Sequence, residues 1–210
     1  ITNVFDLNIY DLLKKRLDYD IAVLGIGCVK NSFNTAEGIK LDYVDPSDIV
    51  YSYTDSPYFE DLYYVGEVRR VSIVELKKQF PELTNEDIEE IEGKGDSSLL
   101  YNRTNATDKN YVYILYFEYK TYENQVYKVK ETISGGDKAI KKDDKFNPPA
   151  ASRSRFQKVN RSIECLYDGA IILGTDKLLK WEMARNMMRP KSDFTKVKMN
   201  YAIVAPRMYK

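Results

Sequence analysis

The chain has 210 residues, 43% hydrophobic and 30% charged, with 32 basic and 32 acidic side chains and a net charge of zero. This suits an ordinary globular fold with one buried core or two small ones, and it excludes a whole-molecule field that would draw the chain onto nucleic acid or an anionic membrane. Histidine is absent, which removes Ser-His and Cys-His nucleophile pairs, His-ligated zinc and the usual general base near neutral pH, and leaves carboxylate or lysine chemistry.

No apolar run approaches the roughly 20 residues of a membrane span. Cys28 and Cys165 lie far apart without C-x-x-C spacing, which reads as two reduced, buried thiols of a cytosolic protein. The chain starts at Ile1 and shows no charged-then-apolar leader, so a fragment or a processed piece is expected.

In chain order, residues 6–24 place Ile9, Leu12, Leu13, Leu17, Ile21 and Leu24 at spacings of three and four. They predict one amphipathic helix, with Asp6 as its N-cap and Gly25 and Gly27 beyond its end. From Gly38 the apolar period becomes two. "GIKLDYVDP", "DIVYSYTD" and "DLYYVGEVRRV" are rich in β-branched and aromatic residues, and Asp45-Pro46 and Ser56-Pro57 punctuate them. They read as strands, with the acids at the turns and the rings on the strands.

Two short helices are expected near 72–92. Ser72 and Glu75 have capping-box spacing and the first helix stops at Pro81; Thr84 caps the second, and Gly93 follows its end. Residues 93–109 read as a polar loop. "NYVYILYFEYKTYENQVYKVKETIS" predicts a hairpin over 110–134 turning near Glu123–Gln125, and "RSIECLYDGAIILGT" a second one over 161–175 with Asp168-Gly169 as a type I′ pair. Between them, 135–160 reads as a long excursion, functional or disordered. Periodicity leaves "DKLLKWEMARNMM" open between helix and strand, and "KVKMNYAIVAP" returns to strand. The expected fold class is therefore α+β, with a part at 1–134 built from the helix and an antiparallel sheet, and a part at 135–210 holding the excursion and the late hairpin.

Candidate sites are few. "GIGCVK" opens like a dinucleotide loop, but Lys30 stands where the third glycine belongs and the stretch follows a helix, so a helix exit is the better reading. The carboxylates between 45 and 61 match no calcium loop and read first as turn chemistry. "NRT" at Asn102 and "NAT" at Asn105 fit the glycosylation pattern and read as chance matches in a polar loop. The strongest local feature is basic. Lys138, Lys141, Lys142, Lys145, Arg153, Arg155, Lys158 and Arg161 stand against Asp143 and Asp144. Such a stretch suits a solvated loop, an acidic partner, or duplex phosphates without base readout. Phe146 and Phe156 are too few to suggest base stacking.

Three stretches together resemble the middle of a tailed-bacteriophage portal protein: "IKLDYVDPSDIVYSYTDSPYFEDLYYVGEVRRVSIVELKKQFPEL", "YVYILYFEYKTYENQVYKVKETI" and "RSIECLYDGAIILGTDKLLKWEMARNMMRPKSDFTKVKMNYAIVAP". They span most of 38–206, and the abundance of Tyr, Asn and Lys is similar to that in portals of crAss-like phages. The family's long stem and tunnel helices have no counterpart here, which fits a middle piece of a longer chain. The resemblance implies a structural component of a ring, commonly of twelve copies, at one capsid vertex of the virion. Double-stranded DNA passes through that ring non-specifically, and a packaging motor (terminase), a tail adaptor and capsid proteins dock on it. It implies no catalytic site, no cofactor, no metal and no membrane contact. Rival readings are a carboxylate-based, metal-assisted hydrolase and a generic α+β protein-binding module.

Overall fold

A computed structural model describes residues 2–36, 38–94, 111–131, 135–143, 145–146 and 156–206. The fold is α+β and strand-rich, and all the strand pairs described are antiparallel.

The N-terminal helix is broken. α1 covers Thr2–Leu7 and α2 covers Tyr10–Val23, with Ile9 between them in the left-handed region (φ 47°, ψ 48°). Asp6 therefore lies inside a helix and is not a cap. Asn8 supplies the reason. Its Nδ2 donates to the carbonyls of Val4 (2.8 Å) and Ile39 (2.9 Å), and its Oδ1 accepts from the Leu41 amide at 2.8 Å. A short amide side chain that serves backbone groups outside its helix competes with helix continuation. After α2, Gly25 takes φ 78° and its amide bonds the Asp20 carbonyl, the expected stop.

A three-stranded sheet joins β1 (Gly27–Asn34) to β2 (Gly38–Val44) and to β9 (Tyr201–Val204), with β1 central. The dinucleotide-like glycines thus lead into a strand. Asp45 caps a single 3-10 turn, Pro46–Asp48, by accepting from the Ser47 amide at 3.0 Å. The larger sheet runs in the order β3 (Ile49–Tyr51), β4 (Tyr64–Ser72), β5 (Tyr111–Glu131), β7 (Phe156–Ile172), β8 (Leu178–Met183), and β6 (Asp137–Lys142) pairs with the far half of β5.

Both expected hairpins are single long strands. β5 runs 21 residues through Glu123–Gln125, which pair with Ile163, Ser162 and Arg161 of β7. A polar triplet needs no turn when a neighbouring strand satisfies its backbone. Asp168-Gly169 lies mid-strand opposite Glu118 and Phe117. A glycine stands at 169 because any side chain there would meet the ring of Phe117, which lies across it. The excursion over 135–160 is partly regular, since it holds β6 and the first residues of β7.

The two short helices lie where the capping boxes put them. α3 spans Ile73–Gln79, with Ser72 Oγ accepting from the Glu75 amide; α4 spans Asn85–Lys94, with Thr84 and Asp87 capping each other. Gly93 falls inside α4 and does not terminate it. Their apolar residues Leu76, Ile88 and Ile91 pack on Val112, Ile114, Ala170 and Ile172 to form the main core. A second core lies between the small sheet and the start of β4, from Cys28, Val44, Tyr201 and Ile203 against Phe59, Leu62 and Val65. The open choice for 176–188 resolves mainly as the edge strand β8. Among the described residues no helix is long and apolar enough to cross a membrane.

Candidate functional site

Residues directly opposite in an antiparallel ladder point to the same face. On β5 one face carries Val112, Ile114, Tyr116 and Glu118. Tyr116 and Glu118, with Asp168 of β7 opposite Glu118, line a cleft of about 880 Å³ whose other walls include Lys30–Phe33, Arg185–Met188 and Asn200–Tyr201, and Glu67 of β4 pairs opposite Tyr116. The cleft has a mixed lining, and the buried carboxylates Glu67 and Glu118 beside it tie the two sheets together. Glu67 is 4% exposed; its Oε1 is 3.0 Å from Lys30 Nζ, 2.8 Å from an Arg69 guanidinium nitrogen and 3.2 Å from the Tyr201 hydroxyl. Glu118, also 4% exposed, accepts from the Asn200 amide (2.9 Å) and from Asn200 Nδ2 (2.8 Å). Among the described residues no buried side-chain polar atom lacks a hydrogen-bond partner. The buried carboxylates Glu67 and Glu118 are therefore engaged in holding the fold, which is a structural use of carboxylates.

Burial pushes the Glu118 carboxyl above its ordinary range, against the two Asn200 hydrogen bonds that favour ionisation. A pKa raised on folding means that the folded state holds its proton to higher pH. The relative stabilisation is then full below the unfolded pKa and falls as pH rises through the folded one. Glu118→Gln removes the charge and keeps an acceptor for the Asn200 amide. Its thermal midpoint relative to the parent should rise as pH increases from about 4 towards neutrality. A difference that does not change with pH would show that the buried charge carries no such cost.

Burial also raises the Tyr201 phenol well above its usual pKa, with Glu67 adding to the effect, so it remains a hydrogen-bond donor. The Cys28 thiol is pushed up to about 12, mainly by burial. Cys165 is raised as well, by burial first and Glu123 second. Both cysteines are free and buried, as the spacing suggested.

The carboxylates of 45–61 do not converge. Asp45 caps the 3-10 turn, Asp55 accepts from the Tyr53 hydroxyl at 2.7 Å, and Asp61 accepts from the Thr54 hydroxyl and the Asp55 amide. The hydrogen bond from Thr54 is the first cause holding the Asp61 carboxyl below its usual range. Among the described residues no group of three or more Cys, Asp or Glu is placed to hold a metal ion.

The opposite face of the large sheet is an aromatic plate. Phe117, Tyr119, Tyr167 and Trp181 lie on it, with Tyr167 stacked on Trp181 at 5.2 Å and Tyr63 edge-on to Tyr119 at 6.3 Å. Trp181 is 47% exposed. The N-terminal helix carries a second apolar surface. Leu17 and Ile21 of α2 press on the backbone of Gly27. Leu12, Tyr19 and Val23, at spacings of seven and four, form a separate exposed stripe.

The predicted basic residues divide. Arg153 and Arg155 lie outside the described residues, as do Asn102 and Asn105. Lys145 is exposed in a turn beyond β6. The register puts Lys138 opposite Lys130, Lys142 opposite Val126 and Lys158 opposite Lys128, so five lysines share one face of the β6–β5–β7 ribbon. Lys141 and Arg161, opposite Tyr127 and Gln125, share the other. Lys128 and Lys130 escaped sequence reasoning because "VYKVK" read as the return strand of a hairpin. Its alternating lysines were the available signal.

Comparison with protein-family models and with curated proteins gives no match.

Proposed function

We propose that the chain is a structural subunit of a phage portal ring, the channel for DNA packaging and ejection at one vertex of a capsid. The observation that carries this reading is the pair of exposed apolar surfaces, the α2 stripe and the aromatic plate. Both are exposed on a fold whose buried carboxylates, Glu67 and Glu118, tie sheet to sheet. The occupant proposed for the two surfaces is a neighbouring copy. Large rings with hydroxyls give wide contact area and keep a polar handle, which suits subunit packing. The resemblance of three segments to portal sequences supports the same reading; those segments hold β2, β3, β4, α3, β5, most of β7, β8 and β9.

In this role the subunit has no catalytic turnover of its own. The terminase motor, the tail adaptor and capsid proteins are its partners, and duplex DNA slides past without sequence preference. Lys138, Lys141, Lys142, Lys145, Arg153, Arg155, Lys158 and Arg161 are the residues proposed for DNA or partner contact. Negative-stain electron microscopy of the full-length protein tests the proposal. Closed rings, commonly twelvefold, are expected; a protein that stays monomeric at high concentration would overturn it.

A further inference from the structure

The small sheet is closed from within on one side and left open on the other. On the β2 side, Asn8 takes up the Ile39 carbonyl and the Leu41 amide, which point away from β1. Their ladder partners are Phe33 and Asn31, so these two residues turn their own backbone groups away from β2, towards β9. β9 stops short of them. It pairs with β1 from Gly27 to Lys30, and beyond that the Asn31 amide donates to the Asn200 carbonyl at 2.7 Å. The Asn200 amide, which would answer the Asn31 carbonyl in a continuing ladder, is taken by Glu118 at 2.9 Å, and Glu118 holds Asn200 Nδ2 as well. Two residues earlier the Lys198 amide bonds the Met188 carbonyl at 2.8 Å, so the chain crosses to another wall of the cleft. The lane beside Asn31–Phe33 is thereby vacated, with Glu118 as the positioning residue that keeps it clear. Among the described residues nothing bonds the Asn31 carbonyl, the Phe33 amide or the Phe33 carbonyl. The lane opens into the cleft of about 880 Å³, which Asn31, Ser32 and Phe33 line. Free backbone groups along a strand are a template for another strand.

We propose that the cleft receives an extended peptide segment of a partner protein, which adds to β1 as a short strand beside Asn31–Phe33. Laid parallel to β1, such a segment answers all three free groups. One of its residues donates to the Asn31 carbonyl and accepts from the Phe33 amide; the residue two further on donates to the Phe33 carbonyl. The chemistry of the lane selects a polypeptide. Two of the three groups are acceptors, and the phosphates of a nucleic acid bring no donor for them. Main-chain bonds of this kind supply affinity, and the surrounding side chains supply preference. Phe33, Ile39 and Met188 line the cleft and stand exposed, which favours apolar side chains in the guest. The cleft's charges select no charged guest, because Lys30 is used by Glu67, Lys180 by Asp168 and Glu182, and Glu118 by Asn200. A second copy of this chain fits less well. Each described strand is held in a sheet, and a whole sheet does not enter a cleft of this size, whereas a single extended segment does. The proposal goes beyond the portal reading and does not rest on it, since the lane belongs to one copy.

The test uses the full-length protein and, as probe, a fluorescein-labelled hexapeptide of alternating Val and Thr. Fluorescence anisotropy reads binding, hydrogen–deuterium exchange reads the amide of Phe33, and circular dichroism checks that each variant folds. The probe should bind saturably and slow exchange at Phe33 at least tenfold. The same peptide N-methylated at every amide should bind at least tenfold more weakly, because it cannot donate. Phe33→Pro removes the free amide and fills the lane without touching a β1–β2 hydrogen bond, since that amide points away from β2. It should weaken binding tenfold or more, and Phe33→Ala, which keeps the amide, should lose less. If Phe33→Pro does not fold, the N-methylated peptide decides. Absence of binding, binding that leaves exchange at Phe33 unchanged, equal binding of the N-methylated peptide, or a folded Phe33→Pro that binds like the parent overturns the proposal. So does Phe33→Ala losing as much as Phe33→Pro, which would make the ring and not the lane the contact. Slow exchange at Phe33 that grows with protein concentration and needs no probe would make a second copy the occupant, and likewise overturns it. The two proposals fail separately. A monomer that binds the probe sinks the portal ring and leaves the lane standing; closed rings that ignore the probe do the reverse.

Discussion

Gly66→Ala should destabilise the protein by about 2–3 kcal/mol, near the upper end of what an extra methyl costs in a closely packed site. The cause is backbone proximity. A methyl at 66 would lie 2.6 Å from the Tyr116 carbonyl oxygen and 2.8 Å from Phe117 Cβ, across the β4–β5 ladder. Neither atom can swing away without moving a strand that pairs on both sides. Gly169→Ala is the useful contrast. There the obstruction is the far end of the Phe117 ring, which faces the plate and can rotate. It should cost less than Gly66→Ala but displace Phe117 from Trp181, now 5.9 Å centroid to centroid. Trp181 is the only tryptophan, so its fluorescence reports the displacement directly. Thermal unfolding ranks the two; equal midpoints would refute the backbone explanation.

Glu67→Ala should cost a similar amount, about 2–3 kcal/mol. Truncating one member of a buried ion pair commonly costs about 3–5 kcal/mol, and partial solvent access to the partners reduces this. Glu67 is the only described carboxylate that bonds Lys30, Arg69 and Tyr201 together. The side chains of Lys30 and Arg69 are 24% and 49% exposed, so water recovers part of the loss. The Tyr201 hydroxyl has no such escape, because Tyr201 is 6% exposed. For a domain of this size the change corresponds to a drop of about 5–10 °C in midpoint. Lys30→Met should cost less, since Arg69 and Tyr201 still answer Glu67. If Lys30→Met proves the more damaging of the two, Glu67 is not the centre of the network.

The amino-acid sequence by itself determined whatever depends on neighbours within a few residues. The capping boxes of α3 and α4 were legible because Ser72 and Thr84 satisfy amides three residues ahead. So were the Asp45-Pro46 turn, the stop at Gly25, the period-two strands β2 and β4, and the α+β class. Tertiary structure decided whatever depended on a partner strand or a distant side chain. "YENQ" and "YDGA" carry turn chemistry, and only the β5–β7 pairing overrides it, by giving those backbones a ladder and Gly169 a ring to lie under. Asn8 stands at the break between α1 and α2 and its side chain bonds the backbones of Ile39 and Leu41, more than thirty residues away. The candidate surfaces divide in the same way. The excess of lysine after residue 137 was visible in the sequence. Its sorting into one face, with Lys128 and Lys130 added and Lys141 and Arg161 turned away, required the register, because a side chain's face is fixed by what its strand pairs with.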